Sequence, residues 1–397
     1  MKGTLEGVKV LDLSQFISGP WCTNLLSTQG AEVIKVEPPR MGESLRLFAL
    51  WDKYMYFFFS IYNLNKKSIT LNIRVEEGQE IFKELIKDVD VIVENFTPGL
   101  MKKWNLDYET VLKPINPKLI YGSISGFGQT GIEEYIKKQA FDLNIQSESG
   151  VLDALGIQGP PKLPFADFSS GNIMALGVSQ ALYYREKTGK GQFIDLSMLD
   201  LMYALNVRAQ IREYMPQAQR FEKATQILPT YNQFPTKDNL KVGIVVITEK
   251  QFKALADVLN KPELTKDKRF RNAVARMDHI EELDAILTEW TVTKTRDEII
   301  KVLDSHRIPC APVLKLDEVR EHPQLKARNM FFNKFDMTNY PDLKTATVPN
   351  VILRFSESPG EAKTPAPQLG EHNKEIYQDK LGFSEDKIKE LKKKGVI

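Results

Sequence analysis

One carboxylate in this sequence stands where a carboxylate can react. Asp167 follows a loop holding Pro160, Pro161 and Pro164 and stands just before a segment with Met174, Val178, Ala181 and Leu182 in 3.6-residue register. A helix whose faces are apolar or small is a buried helix, and its first amides carry a partial positive charge that favours an anion. Ser169 or Ser170 can cap such a helix. Asp167 is then either a cap itself or a reactive group.

Other residues with chemical potential are less well placed. His306 and Cys310 are four apart, but Pro309 intervenes and no third group orients them, so a structural thiol is the expectation. The four histidines (His279, His306, His322, His372) and two cysteines (Cys22, Cys310) share no metal-ligand spacing, so no metal is expected. His372 is expected to make a structural hydrogen bond, and Asp195 and Asp200 to be solvated or paired. Lys102 and Lys103 follow a strand and a turn, where basic groups suit a phosphate or are simply solvated. The Gly126–Gly131 loop offers backbone amides for an oxyanion, as does the backbone near Gly19.

The elements that must position these residues follow from periodicity. Val8–Leu13 reads as a strand, Pro20–Gln29 as a helix stopped by Gly30, and Ala31–Val36 as a second strand. A βαβ unit implies a parallel sheet. Its first turn, Ser14–Pro20, lies where open α/β sheets bind ligands, yet lacks GxGxxG spacing, so no dinucleotide is expected. Strands follow at 68–73, 89–93, 119–124 and 193–198, and an amphipathic helix at 76–87. The aromatic run Tyr54–Tyr62 is too short to span a membrane and reads as core. From about Pro229 the pattern changes to a smaller α+β domain: a strand at 240–246 and helices at 250–259, 280–290 and 295–304, the last opened by a Thr295–Glu298 capping box. Connections containing Pro341 and Pro349 lead to a helix at 384–395 with a Ser cap and a Gly stop.

The 397 residues exceed a single core, and a net charge of +2 with interspersed signs gives no field for nucleic acid or an anionic membrane. The N-terminus carries no apolar signal segment, and no run spans a bilayer, which predicts a cytoplasmic protein. The expected organisation is a large domain beginning at 1–200, a linker helix at 201–228, the small domain at 229–320 and a return to the large domain at 321–397.

With these pieces in place the chain resembles the class III CoA-transferases, a family that also contains α-methylacyl-CoA racemases. The resemblance rests on Leu5-Glu-Gly-Val-Lys-Val-Leu-Asp-Leu13, Gly30-Ala-Glu-Val-Ile-Lys-Val-Glu-Pro38, Glu94-Asn-Phe-Thr-Pro-Gly99, Thr188-Gly-Lys-Gly-Gln192, Ile308-Pro-Cys-Ala-Pro-Val313 and Gln368-Leu-Gly-Glu-His372, in that order. It implies an α/β fold, with a Rossmann-like large domain and a smaller α+β domain, in an interlocked homodimer. It implies that Asp167 is the nucleophile of a CoA transfer between an acyl-CoA and a small carboxylic acid, with coenzyme A as substrate and no ATP or metal. CoA is then expected along Leu71, Arg74, Asn95, Phe96 and Lys103.

The resemblance also carries alternatives. A racemase would use Asp167 as an acid/base, but the position that supplies its partner His is Phe141 here, which holds no exchangeable proton; Glu249 matches a further racemase acid. A catalytically silent CoA-binding protein is a third reading. Ile17 replaces the Gln of formyl-CoA transferase, with Gln15 two positions earlier, and no Gly-rich loop precedes Leu240, which argues against formate or oxalate as substrate.

Overall fold

The computed structural model describes residues 3–51, 55–214, 228–332 and 347–397. They divide into two compact units, residues 1–210 with 328–397, and residues 211–327. The segment expected as a linker at 201–228 is helical over Met198–Leu205 and Val207–Tyr214; 215–227, like Pro341, lies outside the described residues.

The large unit is built on a six-stranded parallel sheet: β1 (Lys9–Asp12), β2 (Glu32–Glu37), β3 (Lys66–Thr70), β4 (Val91–Glu94), β5 (Ile120–Ser125) and β6 (Phe193–Ser197), in the order β3-β2-β1-β4-β5-β6. Its central strands are near-continuous apolar runs because both faces are covered. Side-chain alternation divides them. Leu11, Ile34, Ile69, Ile92 and Tyr121 face one core, and Val10, Val33, Val91, Val93 and Ile120 the other.

Helices cover both faces. On the first, α2 (Glu76–Ile86) contributes Ile81, Phe82 and Leu85, and the carboxyl-terminal helix Glu385–Lys394 adds Leu391. On the second lie α1 (Ser18–Thr28), through Cys22 and Leu26, and the 24-residue helix Phe165–Thr188, through Met174, Val178 and Ala181. The chain leaves β1 to build β2 and β3 on one side, then returns to place β4 on the other side of β1. The crevice beyond the carboxyl ends of β1 and β4 is therefore the switch point at which such sheets bind ligands.

Some sequence expectations shift by a few residues. Helix α1 begins at Ser18 rather than Pro20, since a proline in the first turn forfeits only an amide that has no helical partner. The helix after Asp167 starts at Phe165, two residues before it. Between them, α3 (Asp142–Glu148) is followed by a separate turn of helix at Val151–Ala154. From here the long helix Phe165–Thr188 is α4.

The small unit holds an antiparallel sheet of β7 (Tyr231–Pro235), β8 (Lys241–Val245) and β9 (Cys310–Pro312), covered by α5 (Glu249–Val258), α6 (Ile280–Thr291) and α7 (Arg296–Ser305). Phe252, Leu255, Leu283, Leu287, Ile299 and Leu303 form its core. The expected Thr295 cap is present: Glu298 N donates to Thr295 Oγ1 and Thr295 N to Glu298 Oε2 at 2.8 Å. At the chain's last helix, α8 (Glu385–Lys394), Lys387 N donates to Ser384 Oγ at 3.2 Å and Gly395 takes φ of 71°.

Candidate active site

Asp167 occupies the first turn of α4, yet it does not cap that helix. Asp142, the first residue of α3, does: its Oδ1 accepts Ala166 N at 2.9 Å and Asp167 N at 3.2 Å. Ser169 and Ser170, the expected caps, lie within the helix instead, and Ser170 Oγ is buried without a protein partner. The side chain of Asp167 is thus not engaged with its own helix end. Burial, with a smaller contribution from the nearby Asp142 carboxylate, pushes its carboxyl up to about 7 against the opposing effect of a hydrogen bond from Ser18.

Ser18 opens α1, and the approach of α1 to α4 depends on a missing side chain. A Cβ on Gly171 would stand 2.6 Å from Ser18 O and 3.1 Å from Cys22 N, both backbone atoms. Glycine there lets the two helices meet closely enough to bring Ser18 to Asp167. Trp21 Nε1 donates to Asn172 Oδ1 at 2.9 Å across the same crossing.

The turn between β1 and α1 is held from beneath by groups on four elements. Lys35 on β2 donates to Ser14 O at 2.8 Å, and Lys66 on β3 to Pro20 O at 3.0 Å. Both lysines are fully buried and share Asp12, whose Oδ2 lies 3.6 Å from Lys35 and 2.8 Å from Lys66. Burial alone would raise the Asp12 carboxyl; the two ammonium groups hold it far below the usual carboxylate range instead. From β4's end, Asn95 Oδ1 accepts Gln15 N at 2.8 Å while Asn95 Nδ2 donates to Gln15 O at 2.7 Å. Phe16 N donates to Glu43 Oε2 at 3.1 Å, and Phe16 is fixed in the left-handed region with φ of 60°. Such a conformation in a non-glycine residue persists where the surroundings impose it.

On the other face of the switch point the same turn borders a cavity of about 370 Å³. Leu71, Arg74 and Phe96 line it together with Arg40, Trp104 and Lys394. The Arg74 guanidinium lies 5.5 Å from the Trp104 ring centroid. Asn95 braces the turn rather than forming the wall, and Lys103 stands exposed at the end of the short helix Leu100–Lys103, outside the lining. Sequence reasoning missed Asp142, Ser18, Lys35 and Lys66 because each acts through a partner 20 or more residues away. Arg40 and Lys394 carry no local motif either.

The remaining candidates are occupied elsewhere. Two amides of the Gly126–Gly131 loop are already used, Gly128 N by Ser125 Oγ at 3.0 Å and Gln129 N by Asp195 Oδ2 at 3.0 Å, which removes them as oxyanion donors and gives Asp195 its partner. Cys310 is half-buried with its thiol pushed up to about 11 by burial and Asp304, and His306 Nδ1 meets Val302 O at 2.9 Å; they form no thiolate pair. His372 Nδ1 accepts Ser68 N at 3.2 Å, a structural bond. Glu249 is tied to the buried Arg276 at 2.7 and 3.0 Å, which lowers its carboxyl. Among the described residues no group of three or more His, Cys, Asp or Glu is arranged to hold a metal ion, and no helix is long and apolar enough to cross a membrane.

The profile of CoA-transferase family III matches residues 5–373. Succinyl-CoA–D-citramalate CoA-transferase of Chloroflexus aurantiacus is 35% identical over 404 residues, covering 99% of this chain and 98% of that protein. Formyl-CoA:oxalate CoA-transferase of Rhodopseudomonas palustris is 33% identical and covers 100% and 98%. Among solved structures, a CaiB/BaiF family protein from Brucella suis matches at a TM-score of 0.77 with 31% identity, covering 96% of this chain and 100% of that one.

Proposed function

The chain belongs to CoA-transferase family III and is an acyl-CoA:carboxylate CoA-transferase, and from that premise we propose that Asp167 is its nucleophile. The observation that carries this reading is the Asp142 cap. A carboxylate in the first turn of a helix ordinarily has structural work to do, satisfying end amides. Here a second carboxylate does that work, which leaves Asp167 partly desolvated beside the loop that borders the cavity.

The chemistry balances without metal or nucleotide triphosphate. The Asp167 carboxylate attacks the thioester carbonyl of the acyl-CoA; the C–S bond breaks, giving a mixed anhydride and CoA thiolate. The thiolate attacks the aspartyl carbonyl and expels the donor acid, leaving an aspartyl-CoA thioester. The acceptor carboxylate attacks that thioester and frees the thiolate again. The thiolate then attacks the acceptor's carbonyl in the new anhydride, releasing acyl-CoA and the Asp167 carboxylate. Every intermediate is an activated acyl group, so the steps are of similar energy.

We assign the cavity to the nucleotide end of CoA: Leu71 and Phe96 offer apolar wall, and Arg74 a guanidinium for phosphate oxygens. Lys103, exposed nearby in sequence, adds charge at its mouth, and Asn95 acts by fixing the turn. The arm of CoA then runs over Ser14–Ile17 to Asp167 on the other face of the sheet. A second copy of the chain covers the outer face of α4, where Ile173, Leu176, Tyr183 and Tyr184 stand exposed in the single chain; a run of large apolar groups of this kind is an interface, and the homodimer is our reading of it.

Racemisation is the weaker reading. It needs a second proton-transfer group, and neither Phe141 nor the Arg276-bound Glu249 is poised for it. The deciding experiment incubates the enzyme with acyl-CoA alone and then hydroxylamine. The expected result is a hydroxamate on the Asp167 peptide. Solvent deuterium entering the substrate α-carbon, with no hydroxamate and no exchange into added acid, would overturn the assignment.

A further inference from the structure

The hydroxyl of Ser18 has its hydrogen aimed by another side chain. Asn95 stands just after β4, beside Phe96 of the cavity wall, and its amide faces both backbone groups of Gln15: Oδ1 accepts Gln15 N at 2.8 Å and Nδ2 donates to Gln15 O at 2.7 Å. This pairing fixes which end of the amide is nitrogen, because a flipped amide would set oxygen against oxygen and N–H against N–H. The second Nδ2 hydrogen goes to Ser18 Oγ at 3.1 Å. A hydroxyl has one hydrogen of its own. With Asn95 donating to the Ser18 oxygen, that hydrogen is left for the Asp167 carboxylate, to which Ser18 is hydrogen-bonded. Ser18 is buried, and the close crossing at Gly171 holds it there.

Such a bond divides the two Asp167 oxygens by task. The oxygen that holds the Ser18 hydrogen is the weaker nucleophile, so the other one attacks the donor thioester. The held oxygen then becomes the aspartyl carbonyl of the mixed anhydride. When CoA thiolate attacks that carbonyl, the C–O π pair moves onto the held oxygen; it returns as the carbonyl re-forms and the donor acid leaves. The acceptor carboxylate repeats the sequence at the aspartyl thioester and expels the thiolate. A donor already in place where negative charge develops lowers the barrier to both of these steps. It gives no such help to the first step, in which charge leaves Asp167.

Resting on the nucleophile reading above, we propose that Ser18 is a second catalytic residue, the oxyanion donor for attack on the aspartyl carbonyl, and that Asn95 is the positioning residue that aims its hydrogen. A side-chain hydroxyl then does at Asp167 what the Gly128 and Gln129 amides, already bonded to Ser125 and Asp195, do not.

Rapid mixing of the enzyme with acyl-CoA at pH 9, above the Asp167 titration, separates the steps, with succinyl-, acetyl- and isobutyryl-CoA as the donors. Free thiol reports the first step, and intact-protein mass reports enzyme carrying CoA, the product of the second. Ser18→Ala is expected to slow the appearance of CoA-bearing enzyme at least about tenfold while initial thiol release changes less than about threefold. Asn95→Asp keeps the Ser18 hydroxyl but offers it an acceptor, which turns its hydrogen away from Asp167, and is expected to show the same split. Either variant decides the matter if the other fails to fold. Equal slowing of both steps in a folded variant, or slowing of neither, would overturn the inference while a hydroxamate at Asp167 still upheld the nucleophile. Wild-type enzyme that carries no CoA and yields no hydroxamate with any of the three donors would overturn both.

Discussion

The ionisation of Asp167 should set the pH dependence of its acylation, and its sign is fixed by chemistry. Only the carboxylate attacks, so a carboxyl raised to about 7 predicts that single-turnover formation of the hydroxylamine-trappable adduct rises with pH. By simple titration the ionised fraction is about 0.1 at pH 6 and about 0.9 at pH 8, a roughly tenfold rise. Asp142→Asn removes the like charge and keeps an acceptor for Ala166 and Asp167 N–H, so the inflection moves down; a movement of one unit raises the pH 6 rate about fivefold. The same shift has a stability counterpart. The folded pKa lies above the unfolded one, so the group adds stability below the unfolded value near 4 and loses it as pH rises through 7. Above pH 7 the ionised Asp167 costs on the order of 2–4 kcal/mol. Asp167→Asn should therefore abolish trapping and raise the melting temperature at pH 8 while changing it little at pH 4. A trapping rate flat from pH 5.5 to 8.5, or an Asp167→Asn variant no more stable at pH 8, would refute the desolvated nucleophile.

Three further outcomes follow from the same geometry. Arg74→Ala and Lys103→Ala should raise KM for acyl-CoA about tenfold or more with little change in kcat, because a charge-assisted contact contributes ~1.5–3 kcal/mol and the phosphates are remote from the thioester; an unchanged KM for Arg74→Ala in steady-state kinetics would move the nucleotide site out of the cavity, and one for Lys103→Ala would remove Lys103 from it. Gly171→Ala forces α1 and α4 apart against backbone atoms at 2.6 and 3.1 Å, so it should destabilise by about 1–3 kcal/mol and slow trapping at Asp167, measured by thermal melting and adduct mass. An interlocked homodimer should survive dilution, since linked chains separate only by unfolding; reversible monomers in nanomolar sedimentation would count against it.

The apolar alternation of Val10 and Leu11, or of Ile92 and Val93, is a local pattern, and so are the Thr295 and Ser384 caps; the sequence by itself determined the α/β class, the βαβ start and the small unit's helices. It also singled out Asp167, because a carboxylate at the head of an apolar helix is conspicuous without a partner in view. What it left open was whether Asp167 caps that helix or reacts. The tertiary structure answers the first half: the cap is Asp142, whose 24-residue separation from Ala166 leaves no periodic trace. The strand order that puts β1 beside β4, the Lys35–Asp12–Lys66 group beneath the turn and the helix crossing at Gly171 are of the same kind. Each is a contact between residues whose neighbours in the chain say nothing about it, formed because a charge or amide buried by folding must find its partner wherever the fold brings one.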